Sequence, residues 1–289
     1  MAESTEITGI THIGVVGAGT MGHGIAQVAA QAGYTTVLYD TTQALADKGR
    51  ARVQDNLEKG VQKGKVKPEE RDATLGRLSA TAELRDLSPC GLVIEAIPED
   101  MGLKRSLFER LSHLCTPDAI LATNTSSLSV TEIASTATHP ERVLGMHFFN
   151  PVHLMKLLEL IRAFQTSDDT LSRARVVAER MGKQVVVVND HPGFASTRLG
   201  IVLGMQAIRM VEEGVASAED IDRAMELGYG HPMGPLKLTD LVGLDVRLSI
   251  AQYLYAELGD PAFRPPQLLK KMVRAGKLGR KSGEGFYKY

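Results

Sequence analysis

The sequence predicts an α/β protein, with a mainly parallel sheet that carries a helical hairpin and is followed by an all-helical C-terminal domain. Three observations carry that prediction. Short β-branched runs alternate with helical patterns through the first two thirds of the chain, as in sheets built from βαβ units. Strand patterning then stops near Asn189, and only amphipathic helices follow. A cluster of glycines lies where the first strand run gives way to the first helix.

The strand runs fall at 10–16, 35–39, 92–97, 119–122, 143–148 and 184–188, with a further apolar run at 155–161. Between 41 and 78 the pattern is helical and strongly charged, with Lys59, Lys63, Lys65 and Lys67 around Gly60 and Gly64, so a helical hairpin is expected to project from the sheet. Helices are expected at 194–213, 218–227 and 236–257. His191-Pro192-Gly193 opens this part, Ser217 with Asp220 resembles a capping box, and 228–235 breaks the run. The expected domains are therefore 1–188 and 189–289.

Composition excludes several classes. A chain of 289 residues, 43% hydrophobic and 23% charged, has room for two modest packed domains and does not read as disordered. A net charge of -1 gives no basic footprint for nucleic acid. Cys90 and Cys115 have no metal-ligand or disulfide-framework spacing, and neither a signal peptide nor a membrane-length apolar run is present. The expectation is a cytoplasmic protein with no bound metal and no membrane or nucleic-acid partner.

Gly17, Gly19 and Gly22 occupy G-x-G-x-x-G. In a strand-turn-helix, Gly17 makes the tight turn, Gly19 lets backbone approach a pyrophosphate, and Gly22 lets the helix pack on the strand. The helix start at Gly19, Thr20, Met21 and Gly22 then presents N–H groups and a positive dipole end to phosphates. The next strand run ends in Asp40, close to the offset of a carboxylate that accepts from both ribose hydroxyls. It would repel a 2′-phosphate, and no Arg follows directly, so the expected cofactor of this Rossmann-like half is NAD. The alternative makes Asp40 a solvated cap before Thr41 and Thr42.

His147 ends one apolar run and Glu159 is the acid within the next. If those runs pair as neighbouring strands, the carboxylate faces the imidazole and can orient it as a general base. The plainer alternatives are a core histidine bonded to backbone and a strand glutamate that points to water.

The stretch Gly145-Met146-His147-Phe148-Phe149-Asn150-Pro151 through Met155-Lys156-Leu157-Leu158-Glu159 resembles the L-3-hydroxyacyl-CoA dehydrogenases. The likeness extends over nearly the whole chain. It includes the glycine cluster, Glu95-Ala96-Ile97-Pro98-Glu99, Ala122-Thr123-Asn124-Thr125-Ser126-Ser127-Leu128, Asp190-His191-Pro192-Gly193-Phe194, Gly230-His231-Pro232-Met233-Gly234-Pro235 and Gly279-Arg280-Lys281-Ser282-Gly283-Glu284-Gly285-Phe286-Tyr287. It implies reversible NAD-dependent oxidation of L-3-hydroxyacyl-CoA thioesters, 3-hydroxybutyryl-CoA included. His147 would then be the base and Glu159 its partner. Ser126 would hydrogen-bond the reacting oxygen, unless its segment is only a helix cap, and Asn150 would position substrate and nicotinamide.

Glu99 and Lys104 match cofactor-contacting positions, although as a surface pair they would mean little. Lys59 and Lys63 match the place where the hairpin meets coenzyme A, although most such charges form a solvated helix face. Thr197 stands where many relatives have an active-site asparagine, and a threonine offers one hydroxyl in place of an amide. The resemblance implies a homodimer paired through the helical domain. The surplus apolar residues from Gly234 onward fit that implication, and they equally fit an internal helix of a larger core. A dehydrogenase of a free hydroxy acid or sugar acid on the same plan, and a non-catalytic NAD-binding protein, are the competing readings.

Overall fold

The computed structural model describes residues 8–289. Two compact units divide at Asp190, and the second is His191–Tyr289.

The first unit is an eight-stranded sheet made of β1 (His12–Val16), β2 (Thr35–Tyr39), β3 (Leu78–Thr81), β4 (Leu92–Glu95), β5 (Ile120–Thr123), β6 (Val143–Phe148), β7 (Leu157–Arg162) and β8 (Gln184–Asn189). Its order is β3-β2-β1-β4-β5-β6-β7-β8, so the first six strands follow the doubly wound dinucleotide-binding order. All pairs among those six are parallel, β7 runs antiparallel to β6, and β8 is parallel to β7. The strand order reverses beside β1, which pairs with both β2 and β4. That reversal opens a crevice at the carboxyl ends of β1 and β4.

Helices α1 (Gly22–Gln31), α2 (Gln43–Gln62), α3 (Pro68–Gly76), α4 (Met101–Leu114), α5 (Val130–Ala134) and α6 (Asp168–Arg180) connect the strands. The hairpin of α2 and α3 has local causes. Thr42 caps α2 by accepting from the Leu45 N–H, Gly64 takes φ +66° in the turn, and Pro68 occupies the first turn of α3. The helical pattern expected through 78 ends at Gly76, because Leu78–Thr81 pairs with β2 as an edge strand of only four residues. A strand that short leaves no period for the sequence to show. The run expected at 92–97 likewise stops at Glu95.

Ile13, Val15, Ile25, Leu38 and Ile94 form the heart of this unit's core, with Met146, Phe148, Leu158 and Leu160 continuing it under β6 and β7. Cys90 and Cys115 are free and buried, and burial pushes their thiols up to about 12 and about 11.

The second unit consists of α7 (Ser196–Glu212), α8 (Ala218–Tyr229), α9 (Pro235–Val242), α10 (Leu244–Leu258) and α11 (Gln267–Arg274). Ser217 caps α8 by accepting from the Asp220 N–H. The single helix expected at 236–257 is two, because Gly243 takes φ +105° between them. Helix α11 escaped the sequence reading. Ile201, Met205, Leu236, Leu244, Ala251 and Leu254 are the centre of this core.

Two buried acids replace sheet hydrogen bonds as the unit's staples. Asp222 accepts from the Leu236 and Lys237 N–H groups at the start of α9, at 2.8 and 2.9 Å, and from the Tyr287 hydroxyl at 2.7 Å. Asp240 accepts from the Phe286 and Tyr287 N–H groups, both at 2.9 Å. Among the described residues no helix is long and apolar enough to cross a membrane.

Candidate active site

The glycine turn follows β1 directly, and each glycine has a distinct steric reason. Gly17 takes φ +97°, and a Cβ there would lie 2.7 Å from the Ala96 carbonyl oxygen. A Cβ on Gly22 would sit 1.6 Å from the Gly17 oxygen, so α1 could not start where it does. A Cβ on Gly19 would meet nothing within 4 Å, so the side of its backbone that a Cβ would cover is open to a ligand.

Asp40 ends β2 and accepts from the Ala18 N–H at 2.8 Å and the Thr41 N–H at 2.7 Å. It therefore ties the glycine turn to the second strand, while Thr42 does the helix capping. A cavity of about 700 Å³ opens here, lined by Gly17, Gly19, Thr20, Met21 and Asp40 with apolar walls such as Leu107. Size, open backbone, helix start and ribose-side carboxylate fit an adenine dinucleotide. Arg110 lines the same cavity from α4. The sequence reading passed over it, because it lies 70 positions from Asp40 and only the crossover of α4 brings the two to one cavity.

At the ends of β4 and β5 stands a buried charge network. Glu95 is fully buried and accepts from the Lys104 ammonium at 2.6 Å, the Ile97 N–H at 2.7 Å and the Thr123 hydroxyl at 2.7 Å. Lys104, in the first turn of α4, is 1% exposed, so it is not the surface group the sequence suggests there. Its ammonium also reaches Glu99, at 3.4 Å. Burial of a lysine requires such a partner.

Glu99 in turn organises the turn after β5. Its Oε1 accepts from the Thr125 hydroxyl at 2.6 Å, the Ser126 N–H at 2.9 Å and the Ser126 hydroxyl at 3.3 Å. The helix-cap role belongs to Ser129, which caps α5, so Ser126 is not a cap. Glu95, Thr123 and Thr125 lie in stretches that carry the family resemblance, but the sequence assigned none of them a role of its own. Their alternation with Glu99 and Ser126 becomes meaningful only once β4 and β5 are neighbours.

His147 and Glu159 are register partners on β6 and β7, and His147 Nδ1 lies 2.8 Å from a Glu159 carboxylate oxygen. Antiparallel partners point to the same face of a sheet, so this pairing follows from strand register. The side chains are 9% and 2% exposed. The imidazole thus has a carboxylate partner, and Glu159 is buried where the plainer alternative directed it at water. Phe149 stacks at a tilt on the imidazole, with ring centroids 4.5 Å apart.

Two residues to which the sequence assigned no role hold this end of β6. Asn124 accepts from the Phe148 N–H at 2.9 Å, which anchors the strand beside His147 to the turn that carries Ser126. Lys183 is buried and donates to the Val152 and Met155 carbonyl oxygens, clamping the turn between β6 and β7. Its burial lowers the lysine pKa. His153 on that turn is also lowered, first by burial, then by His23 and Lys183.

Asn150 starts the same turn and is exposed. Lys59 and Lys63 are exposed at the end of α2. Thr197 lies in the first turn of α7, half-buried within the helical unit.

Comparison with known proteins gives a consistent result. The 3-hydroxyacyl-CoA dehydrogenase NAD-binding domain matches residues 12–191, and the 3-hydroxyacyl-CoA dehydrogenase C-terminal domain matches 193–289. A probable 3-hydroxybutyryl-CoA dehydrogenase of Deinococcus radiodurans is 49% identical over 96% of this chain and 99% of its own. Among solved structures, FadB2 of M. tuberculosis has a TM-score of 0.94 at 47% identity, covering 97% of this chain and 99% of that one. The (S)-3-hydroxybutyryl-CoA dehydrogenase of Ralstonia eutropha has the same score and coverage at 41% identity.

Proposed function

Because the chain belongs to the 3-hydroxyacyl-CoA dehydrogenase family, we propose that it interconverts L-3-hydroxyacyl-CoA and 3-ketoacyl-CoA thioesters, 3-hydroxybutyryl-CoA included, with NAD as cofactor. The observation that carries this reading is the buried 2.8 Å contact of His147 with Glu159 on paired strands.

When bound, NAD⁺ supplies the hydride acceptor. Gly17, Gly19, Thr20, Met21 and Gly22 would hold it by backbone, and Asp40 by the ribose hydroxyls. His147 removes the C3 hydroxyl proton. With Nδ1 directed at Glu159, Nε2 is the ring nitrogen that takes it, and the carboxylate stabilises the imidazolium that forms. Ser126 donates to the reacting oxygen and Asn150 positions the substrate beside it.

Glu99 sets the orientation of Ser126 at the cofactor side, and Lys104 serves that site through Glu99. Thr197 offers its hydroxyl to the thioester. Lys59 and Lys63 attract the phosphates of coenzyme A as flexible point charges. The partly exposed apolar residues Leu241, Val242 and Val246 supply a face for a second copy, in keeping with a homodimer. The compartment that fits this metabolism and the composition is the cytoplasm.

The test is oxidation of NADH followed with acetoacetyl-CoA, with unesterified acetoacetate, and with NADPH in place of NADH. Turnover should require the thioester and should be at least about tenfold better with NADH, the worth of one well-placed charged contact. Equal rates with the free acid would overturn the substrate class, and equal kcat/KM with NADPH would overturn the role of Asp40.

A further inference from the structure

The cofactor cavity carries a cation that the proposed NAD site does not use. Asp40 from β2 and Arg110 from α4 are the two charged residues that line it. Neither takes part in an ion pair among the described residues. Asp40 is instead held by the Ala18 and Thr41 N–H groups and by the Thr41 hydroxyl, at 3.3 Å. Arg110 has no acid three or four positions away on its helix, where Ser106, Leu107, His113 and Leu114 stand. Arg105, on another face of α4, does have one and pairs with Glu132 at 3.5 Å.

Helix periodicity explains how Arg110 reaches the cavity. Leu103, Leu107 and Arg110 recur at i, i+4 and i+7 on one face of α4, with Ser106 beside them, and all four line the cavity. That face is about 10 Å long and passes from an apolar wall to a guanidinium. In a dinucleotide site the ribose hydroxyls lie against the carboxylate that ends the second strand, and an arginine near that carboxylate is what accommodates a phosphate on the 2′ position. From sequence, NAD is expected on two grounds, the charge of Asp40 and the lack of an Arg directly after it. The fold keeps the first and brings an Arg to the cavity from α4. Thr41 and Ser106 add hydroxyl donors.

We infer that Arg110 receives a 2′-phosphate, so that the protein takes NADP(H) as a second, weaker cofactor, with Asp40 setting how much weaker. This rests on the cofactor reading proposed above. A planar guanidinium pairs with phosphate oxygens through parallel hydrogen bonds. Asp40 repels the same phosphate, so attraction and repulsion act on one group and the preference for NADH is finite. The reaction at C3 is unchanged: the C3–H bond breaks with its electron pair going to the nicotinamide, and the hydroxyl proton goes to His147.

The experiment is a fluorescence titration with NADH and with NADPH of the wild-type protein, Arg110→Met, Asp40→Asn and the double variant, read as the ratio of the NADPH Kd to the NADH Kd. The wild-type protein should bind NADPH at least about tenfold more weakly than NADH, and Arg110→Met should raise the ratio by a further tenfold or more, about the worth of a charge-assisted contact. Arg110→Lys should raise it less, since it keeps the charge and loses the fork. Asp40→Asn should bring the ratio toward unity, and adding Arg110→Met should take that gain back. NADH binding with no NADPH binding in the wild-type protein, or a ratio that Arg110→Met leaves in place in either background, overturns the inference. Arg110 is exposed, so the wild-type and Arg110→Met titrations decide the matter if the Asp40 variants do not fold. A ratio indifferent to Arg110 removes this inference alone, whereas failure to bind NADH removes the cofactor reading itself.

Discussion

Two buried acid–base pairs in the sheet unit, His147 with Glu159 and Lys104 with Glu95, are built in different ways. The first joins two antiparallel strands, where register alone sets the side chains face to face. The second joins a helix to a strand end, where the lysine reaches its carboxylate at 2.6 Å and both side chains are at most 1% exposed. Imidazole is the side chain suited to passing a proton on and taking it back, whereas an ammonium group offers three donors and no acceptor. The first pair is suited to moving a proton and the second to holding a loop. Under the proposed reaction, chemistry and scaffolding use the same kind of contact, separated by which base supplies it.

The largest expected effect tests the moving pair. His147→Gln should lower turnover by about 10²- to 10⁴-fold, the range of general-base catalysis, while NADH binding measured by fluorescence titration stays near the wild-type value. Turnover that persists would remove the functional half of the contrast. Next comes the holding pair. Lys104→Met leaves Glu95 buried without its cation and should cost about 3–5 kcal/mol in urea unfolding. The double variant Glu95→Gln with Lys104→Met should recover most of that loss, and a double variant as unstable as the single one would show that the pair is not the source.

The smallest effect concerns the turn between β6 and β7. His153 has a pKa below the ordinary value of about 6.5, mainly through burial and then through His23 and Lys183. Below that ordinary value the unfolded chain binds a proton that the folded chain resists, so stability rises with pH up to about 6.5 and falls as acid is added. His153→Asn should flatten this slope between about pH 5 and 6.5, as read from melting temperature. An unchanged slope would assign the dependence to another group.

The contrast also explains what was legible in the sequence. The glycine spacing, Asp40 and the pair His147–Glu159 were readable because each depends on local spacing or on one strand pairing. Glu95, Thr123 and Asn124 were not, because their meaning lies in neighbours brought together by crossovers. Lys104 was read with the right position and the wrong surroundings, since nothing in Met101-Gly102-Leu103-Lys104 says that the fourth residue turns inward. The edge strand at Leu78–Thr81 was too short to show a period. In the helical unit, Gly243 looked tolerable within a continuous apolar pattern, and only its φ of +105° makes it the break between two helices. Arg247, buried on α10, was invisible for a related reason: a charge on a helix reads as solvated until the face it occupies is known.

The two cysteines carry a practical consequence. With thiols at about 12 and about 11, almost none of either is thiolate at neutral pH, and both are shielded from solvent. A disulfide reagent will therefore modify native enzyme only as fast as the sheet around Cys90 and Cys115 opens. The native sulfurs serve as an internal clock for that opening, with no engineered label and no perturbation of the catalytic groups.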